Sequence, residues 1–141
     1  MFTKILVGYD GSKGGNEALR RAAVMAGKYH AQLMTLWVRE PLPRYTDLPG
    51  EPESEAEAAD EYFQDRRKEV AEVAAEYGTK VGCETRSGHP ARTIVTMAKE
   101  GDYDLIVVGH SDHSEMWGRL LGDTADRISD HAHCSVLVVK N

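Results

Sequence analysis

The sequence has little of what marks a secreted, disulfide-stabilised or membrane-spanning protein. Its only two cysteines, Cys83 and Cys134, lie far apart and form no C-x-x-C pair. This argues against a disulfide framework and a zinc knuckle, so we expect both to be small core residues. No apolar run approaches the ~18 residues of a membrane helix, and the first residues lack the basic and apolar regions of a secretory signal. We therefore expect a cytoplasmic protein with no membrane partner.

Basic residues are also too few for a protein that binds nucleic acid unaided. The 17 lysines and arginines stand against 23 aspartates and glutamates, for a net charge of −6, whereas nucleic acids and anionic membranes attract basic surfaces. Ten of the acids fall between Glu51 and Glu76, beside three bases. We interpret this segment as the solvated face of a helix.

Length and composition indicate one globular domain. The chain has 141 residues, of which 41% are hydrophobic and 28% charged, and it contains no internal repeat or biased tract. Domains of roughly 100–150 residues bury a core of their own. We expect a single domain over residues 1–141.

Short apolar runs alternate along the chain with longer segments of helical periodicity. Five strands are predicted, at residues 4–7, 33–38, 81–85, 105–108 and 135–139. The alternation of strands and helices is typical of an α/β fold. It predicts an open, doubly wound sheet of five parallel strands with helices on both faces.

Four helices are predicted between and after these strands. Their limits are set by Gly27 at the end of the first, the capping box Ser54/Glu57 and Gly78 around the second, Pro90 and Gly101 around the third, and about Ser129 at the end of the fourth. Residues 40–50 contain three prolines and are predicted to form a loop.

The loops after the first and fourth strands are the candidate sites, because such sheets bind ligands beyond the carboxyl ends of their strands. Residues 10–15 are rich in glycine and lead into a helix. They form no Walker A loop, since Lys13 precedes the glycines, and no G-x-G-x-x-G fingerprint. Two interpretations remain open: an anion site at the helix N-terminus, or a turn capped by Ser12.

Four short motifs occur in order along the chain. They are Val-Gly-Tyr-Asp-Gly-Ser at residues 7–12, Gly-His-Pro-Ala at 88–91, Tyr-Asp-Leu-Ile-Val-Val-Gly at 103–109 and Cys-Ser-Val-Leu-Val-Val at 134–139. Together they resemble the universal stress protein (UspA-like) family over essentially the whole chain. The resemblance implies a Rossmann-like sheet of order 3-2-1-4-5, a homodimer, and a regulatory or stress-response role without catalysis.

Members of that family that bind ATP carry G-x-x-G-x(9)-G-[ST] after the fourth strand. Here Gly109 and Gly122 match the first and third glycines, whereas Asp112 and Asp123 replace the second glycine and the hydroxyl residue. Asp112 brings a side chain and a negative charge to the place expected for the phosphates. Asp123 is expected to cap the last helix with its own carboxylate. The sequence therefore predicts an altered and weakened ATP site.

The adenine side of that pocket is retained. Asp10 matches the family's aspartate that faces the nucleobase, and Val38 ends the second strand beside it. The alternative function is therefore an adenine-nucleotide sensor for ATP or AMP with Mg²⁺, in which Lys13 and Arg119 offset the added acids. The residues that the resemblance implies for this site are Gly8, Tyr9, Asp10, Val38, Val108, Gly109, Asp112, Gly122, Asp123 and Thr124.

Two groups of potential metal ligands have no ligand spacing. These groups are His110, Asp112 and His113 in one loop, and His131, His133 and Cys134 before the last strand. Since neither matches a metal motif, we expect exposed loop histidines and no metal site.

Catalysis has little support in the sequence. Residues 109–113, around Ser111, lack the closing glycine of a nucleophile elbow, so we expect no catalytic residue. Slow ATP hydrolysis or autophosphorylation, with Ser111, Ser114 or Thr124 as the phosphate acceptor, is the third hypothesis. Trp37 is expected in the core, and the sequence does not decide the role of Trp117.

The last predicted strand raises the question of partners. If it lies at the edge of the sheet, its open row of N–H and C=O groups needs covering or pairing. Pairing across a two-fold axis meets that need. We expect a homodimer through Val136, Leu137, Val138 and Val139.

Overall fold

Five parallel strands form one sheet in the order β3-β2-β1-β4-β5. The structure, a computed structural model, describes residues 1–40, 51–110 and 120–140. In chain order its elements are β1 (Lys4–Gly8), α1 (Lys13–Tyr29), β2 (Gln32–Arg39), α2 (Glu51–Tyr77), β3 (Val81–Ser87), α3 (Pro90–Glu100), β4 (Leu105–Gly109), α4 (Leu120–His131) and β5 (Ser135–Val139). The predicted fold class and strand order are confirmed.

Side chains of the central strands point alternately to two layers of helices. Ile5 and Val7 pack with α1 and α2, whereas Leu6 packs with α3 and α4, and all three are fully buried. The four apolar residues of β4 are buried as well, as its continuous apolar run predicts. Burial of an aliphatic side chain contributes roughly 1.5–3 kcal/mol. The period-two pattern therefore determines which residues of each strand face which helix layer.

Helix α1 ends later than its glycine predicts. Gly27 lies inside the helix, which continues to Tyr29 and ends at His30 in the left-handed conformation, at φ 55°. The N–H group of His30 donates to the carbonyl of Ala26. The prediction that Gly27 ends α1 is therefore wrong, because a helix tolerates an internal glycine at a cost of about 1 kcal/mol.

Helix α2 begins at Glu51, three residues before the predicted cap, Ser54. That prediction is wrong, and the residues before Ser54 explain why. Pro52 suits a first turn, where its missing N–H would have no partner, and acidic residues favour a helix N-terminus. The other end is as predicted, since Gly78 follows the helix at φ 62°. Neither α2 nor any other described helix is long and apolar enough to cross a membrane.

The remaining boundaries lie close to their predicted places. Helix α3 starts at Pro90 as predicted, with His89 in the N-cap position, and α4 extends past Ser129 to His131. Strands β2 and β3 are each two residues longer than predicted. Of the predicted loop, residues 41–50 lie outside the described residues.

The two cysteines lie at the margins of the core. Both are free and half-buried. Cys83 packs beside the layer of α1 and α2, and Cys134 beside the layer of α3 and α4. The expectation of core positions therefore holds only in part, since neither thiol is fully enclosed.

Candidate functional site at the carboxyl edge of the sheet

Three predicted site residues lie on one face of the sheet at its carboxyl edge. A Cβ atom on Gly8 would lie 3.1 Å from Ile94 Cδ1 of α3 and 3.2 Å from Val108 Cγ1 of the adjacent β4. Val38, near the end of β2, packs against the same apolar cluster under α3 and α4. Gly8, Val38 and Val108 therefore all lie at one apolar cluster near the carboxyl ends of β1, β2 and β4, in which Val108 is buried.

Gly109 ends β4 in direct backbone contact with the start of α1. A Cβ atom on Gly109 would overlap the carbonyl group of Gly14, and one on Gly14 would lie 2.9 Å from the carbonyl oxygen of His110. The N–H group of His110 donates to the carbonyl of Val139 at 2.7 Å. Packing of β4 on α1 thus requires a glycine at position 109, whether or not a phosphate binds there.

Tyr9 lies on the opposite face of the sheet from Gly8. Its side chain is 2% exposed, and its hydroxyl donates to Glu69 Oε2 at 2.6 Å and lies 2.9 Å from Asn16 Oδ1. Burial and the hydrogen bond to Glu69 raise the pKa of Tyr9 well above its ordinary value, so the hydroxyl stays a donor. A ligand at the carboxyl edge could meet only the backbone of Tyr9.

Asp10 follows β1 and turns back over the start of α1. Its Oδ1 accepts from the N–H group of Ser12 at 2.9 Å, and Ser12 Oγ accepts from the N–H group of Gly15 at 3.1 Å. A Cβ atom on Gly15 would lie 2.9 Å from the same Oδ1. The Ser12 hydroxyl therefore caps α1 at the N–H group of Gly15, and the Asp10 carboxylate holds the cap residue itself. Of the two interpretations of this loop, the geometry supports the capped turn.

Side chains of α2 cover this turn. The Tyr62 hydroxyl donates to the carbonyl oxygen of Asp10. Arg66 lies over Gly11, which has φ +83° and whose Cβ would stand 2.7 Å from Arg66 Cδ. The Arg66 guanidinium also stacks on the Tyr62 ring at 4.3 Å and donates to Glu69 Oε1 at 2.8 Å. The turn after β1 is therefore held from α2 as well as from α1.

Arg66 occupies this position although its Nε atom makes no hydrogen bond there to any described residue. Its Nε is buried and has no hydrogen-bond acceptor among the described residues. Leaving a buried donor unpaired costs about 1–3 kcal/mol. The ion pair with Glu69 and the stacking on Tyr62 must offset that cost.

Trp37 stands at the end of β2 beneath the same helix. Its ring centroid lies 4.8 Å from that of Tyr62 and 6.2 Å from that of Phe63, the second pair being nearly parallel. Trp37 is half-buried, so the expectation of a core position is corrected: its ring joins α2 to the carboxyl edge.

Sequence reasoning missed Tyr62, Arg66 and Glu69. Their spacing of four and three residues places them on one helix face, next to the buried stripe that contains Val70 and Val73. The sequence did contain a signal for them, because a tyrosine and an oppositely charged pair lie next to the apolar stripe of the helix. Because the segment is acidic, these residues were instead interpreted as part of a solvated helix face.

The loop after β4 falls largely outside the described residues. Ser111, Asp112, His113, Ser114, Trp117 and Arg119 all lie there. Gly122 and Asp123 lie in the first turn of α4, because that helix begins at Leu120. The prediction that Asp123 occupies the cap position is therefore wrong, although a carboxylate in the first turn of a helix is still favoured by the helix dipole. Thr124 follows and is half-buried.

The histidines near α4 make hydrogen bonds of their own. His131 Nδ1 donates to the carbonyl of Arg127 at 3.0 Å, and His89 Nε2 accepts from Arg127 Nη1 at 3.0 Å. Among residues 1–40, 51–110 and 120–140, no three His, Cys, Asp or Glu side chains stand where they could hold one metal ion.

Strand β5 forms one end of the sheet. It pairs with β4, and within the described residues its outer edge meets no other strand. Leu137 is 36% exposed on one face, while Val136 and Val138 are half-buried on the other and Val139 is buried. An open backbone edge thus lies beside partly exposed apolar side chains.

This sheet order defines a doubly wound parallel α/β protein, a class in which ligands bind beyond the carboxyl ends of the strands. The model of the universal stress protein family matches residues 1–140. The chain belongs to the universal stress protein family.

Individual relatives agree with that assignment. Universal stress protein MJ0531 of Methanocaldococcus jannaschii is 35% identical over 142 residues, which cover 99% of this chain and 83% of the relative. Universal stress protein YxiE of Bacillus subtilis is 33% identical over 148 residues, covering 99% and 100%. A universal stress protein solved in complex with cAMP is 25% identical and superposes with a TM-score of 0.74, covering 98% of this chain and 97% of that one.

Proposed function

We propose that the chain is a non-catalytic regulatory protein that binds an adenine nucleotide of low charge at the carboxyl edge of its sheet. The observation that carries this proposal is the apolar cluster shared by Gly8, Val38 and Val108 at the carboxyl ends of their strands, with Asp10 in the turn that follows β1. The cAMP complex of a relative that is 25% identical supports an adenine ligand, and the phosphodiester of cAMP carries a single negative charge.

Two acids in the altered motif, Asp112 and Asp123, favour such a ligand over ATP. Asp123 lies in the first turn of α4, and Asp112 precedes it in the chain. Two like charges 4 Å apart repel by about 1 kcal/mol in water and about 4 kcal/mol at an effective dielectric of 20. A triphosphate meets this repulsion at several charges, whereas cAMP or AMP meets it at one phosphate group.

The start of α1 is a poor phosphate site. The Ser12 hydroxyl already accepts from the first-turn N–H group of Gly15, and the Asp10 carboxylate, which accepts from the N–H group of Ser12, would repel an added phosphate. The phosphate of a bound nucleotide therefore belongs on the β4 and α4 side of the cleft, and the base on the side of β1 and β2.

Mass spectrometry and calorimetry test the proposal together. The protein is purified without nucleotide and denatured, and released small molecules are identified. AMP, cAMP, adenosine and ATP, the last with and without Mg²⁺, are then titrated. We expect AMP or cAMP to bind at least tenfold more tightly than ATP. Tighter binding of ATP would contradict the charge argument, and an empty protein without binding heat would contradict the nucleotide site itself.

Absence of catalysis is tested separately. The protein is incubated with Mg-ATP, and released phosphate and the intact protein mass are followed over hours. We expect neither phosphate above the buffer rate nor a mass increase of one phosphate. Turnover, or phosphate found on Ser111, Ser114 or Thr124, would favour the enzymatic alternative.

We propose further that residues 1–141 form one domain that pairs as a homodimer through β5. The open edge of β5 and the partly exposed Leu137 support this arrangement, since strand pairing would cover that edge and two-fold symmetry is the commonest symmetry of oligomers. The predicted dimer residues Val136, Leu137, Val138 and Val139 all belong to that strand.

A further inference from the structure

Three side chains on one face of α2 contact three consecutive residues at the end of β1. We propose that Tyr62, Arg66 and Glu69 form a latch that fixes the turn of residues 9–12 and, through it, the wall of the nucleotide cleft. They are positioning residues, since none of them need touch the ligand. The effect on the turn stands by itself, whereas the effect on nucleotide affinity rests on the proposed function.

The latch contacts the turn residue by residue. Glu69 accepts from the Tyr9 hydroxyl at 2.6 Å, the Tyr62 hydroxyl donates to the carbonyl of Asp10, and the Arg66 side chain lies over Gly11. Residues at spacings of four and three share one face of a helix, so a single helix surface makes all three contacts. Movement of α2 would therefore release all three together.

The hydrogen bond to the Asp10 carbonyl is the contact that matters most for the cleft. It fixes the peptide group between Asp10 and Gly11, and Gly11 has φ +83°. That orientation allows Asp10 Oδ1 to accept from the N–H group of Ser12 at 2.9 Å, which keeps the carboxylate over α1. If the turn loosens, the Asp10 carboxylate can swing away from α1 and change the charge facing the nucleotide.

Two further contacts make the latch cooperative. Arg66 bonds to Glu69 at 2.8 Å and stacks on the Tyr62 ring at 4.3 Å, so each of the three side chains restrains another. The Tyr62 ring also packs on Trp37 at the end of β2, with 4.8 Å between centroids. Loss of the Tyr62 hydroxyl alone would leave these ring contacts in place.

The substitution Tyr62→Phe tests the latch, with Tyr29→Phe as its matched control. Tyr29 ends α1 at the opposite edge of the sheet, where its ring packs edge-on to Phe2. In Tyr62→Phe we expect amide hydrogen exchange in peptides covering residues 9–16 to become about fivefold faster, the factor that corresponds to one net hydrogen bond. Exchange in the Leu105–Gly109 strand should not change in Tyr62→Phe. In the control Tyr29→Phe, exchange in residues 9–16 should equal that of the parent protein.

NMR spectra and binding data provide further readouts. The amide resonances of Ser12 and Gly15, which report the hydrogen bonds to Asp10 and Ser12, should shift in Tyr62→Phe. The affinity for AMP should fall about fivefold. Arg66→Lys keeps the charge but loses the planar stacking on Tyr62. It should also accelerate exchange in residues 9–16 and shift the Ser12 and Gly15 resonances.

The outcomes separate the latch from the proposed function. Unchanged exchange in residues 9–16, or an equal acceleration across the whole protein, would overturn the latch. Faster local exchange with unchanged AMP affinity would overturn its influence on the cleft. If the parent protein binds no nucleotide at all, the proposed function fails, and local exchange still decides whether the latch exists.

Discussion

The carbonyl group of Gly14 occupies the space that a Cβ atom on Gly109 would need. Gly109 is also the first glycine of the motif that resembles an ATP-binding sequence. A glycine at position 109 is therefore not evidence that phosphate binds, because the packing of β4 on α1 already requires a glycine there. Tests of the nucleotide site should use other positions.

Replacement of that glycine tests the packing argument. Gly109→Ala should lower the free energy of unfolding by about 1–3 kcal/mol, since the added methyl group must push two backbones apart. Urea denaturation measures the change. The control is Gly27→Ala in α1, where the new Cβ would meet only Thr79 Oγ1 at an ordinary 3.5 Å. This control should be neutral or more stable by up to about 1 kcal/mol, and equal stability of both variants would refute the packing argument.

Asp104 joins the amino ends of β1 and β4, and this makes stability depend on pH. Its carboxylate accepts from the N–H and hydroxyl of Thr3 at 2.8 and 3.0 Å and from the N–H of Lys4 at 3.0 Å. Partial burial opposes the charge, but the hydrogen bonds outweigh it and lower the pKa of Asp104. Because the pKa is lower in the folded state, this stabilisation is present above about pH 4 and is lost as the pH falls through the folded-state value.

The substitution Asp104→Asn should remove that contribution. We expect a loss of about 1–2 kcal/mol at pH 7 and a smaller further loss between pH 5 and pH 3 than the parent shows, both measured by urea denaturation. Asp102→Asn is the control, because Asp102 has φ +55° and asparagine tolerates that conformation. A parent and an Asp104→Asn variant with the same pH profile would disprove the assignment.

Strand positions could be predicted because each strand carries a local signal, whereas the strand order was what the resemblance to the family implied. The continuous run of β4 and the alternation around Ile5 and Leu6 are properties of adjacent residues, and burial confirms both. Helix ends were less predictable. Gly27 and His30 both lie near the end of α1, and only packing beyond the helix decides which one ends it.

The position of Asp10 at the end of β1 could be predicted from the sequence, but its contacts could not. Asp10 was expected at the end of β1, and it lies there, since a strand followed by a glycine-rich turn is a local pattern. Its partner Tyr62 is 52 residues away in the chain, and no local pattern pairs them. The role of Gly109 was equally ambiguous, because close approach to a phosphate and close approach to Gly14 require the same residue.

The proposed homodimer predicts that a charge on β5 will separate the protomers. Leu137→Lys places an ammonium group at the open edge, a position where lysine discourages strand pairing. Light scattering at micromolar concentration should give twice the monomer mass for the parent and the monomer mass for the variant. The control is Val24→Lys on α1, where Val24 is 47% exposed. A monomeric parent, or a Leu137→Lys variant that remains dimeric, would rule out pairing through this strand.

The charge argument predicts that ATP binding can be restored. The double substitution Asp112→Gly with Asp123→Ser removes two negative charges from the altered motif and recreates the glycine and hydroxyl of the ATP-binding motif. Relief of even 1.4 kcal/mol of repulsion corresponds to a tenfold gain in affinity, so calorimetry should show Mg-ATP binding at least tenfold more tightly than in the parent, with AMP affected less. Asp126→Ser removes an exposed acid from the same helix and should change ATP affinity little. Equal affinities of the double variant and the parent would mean that the barrier to ATP lies away from these two aspartates. An equal gain in the Asp126 control would mean that net charge alone, and not the position of the two aspartates in the motif, governs binding.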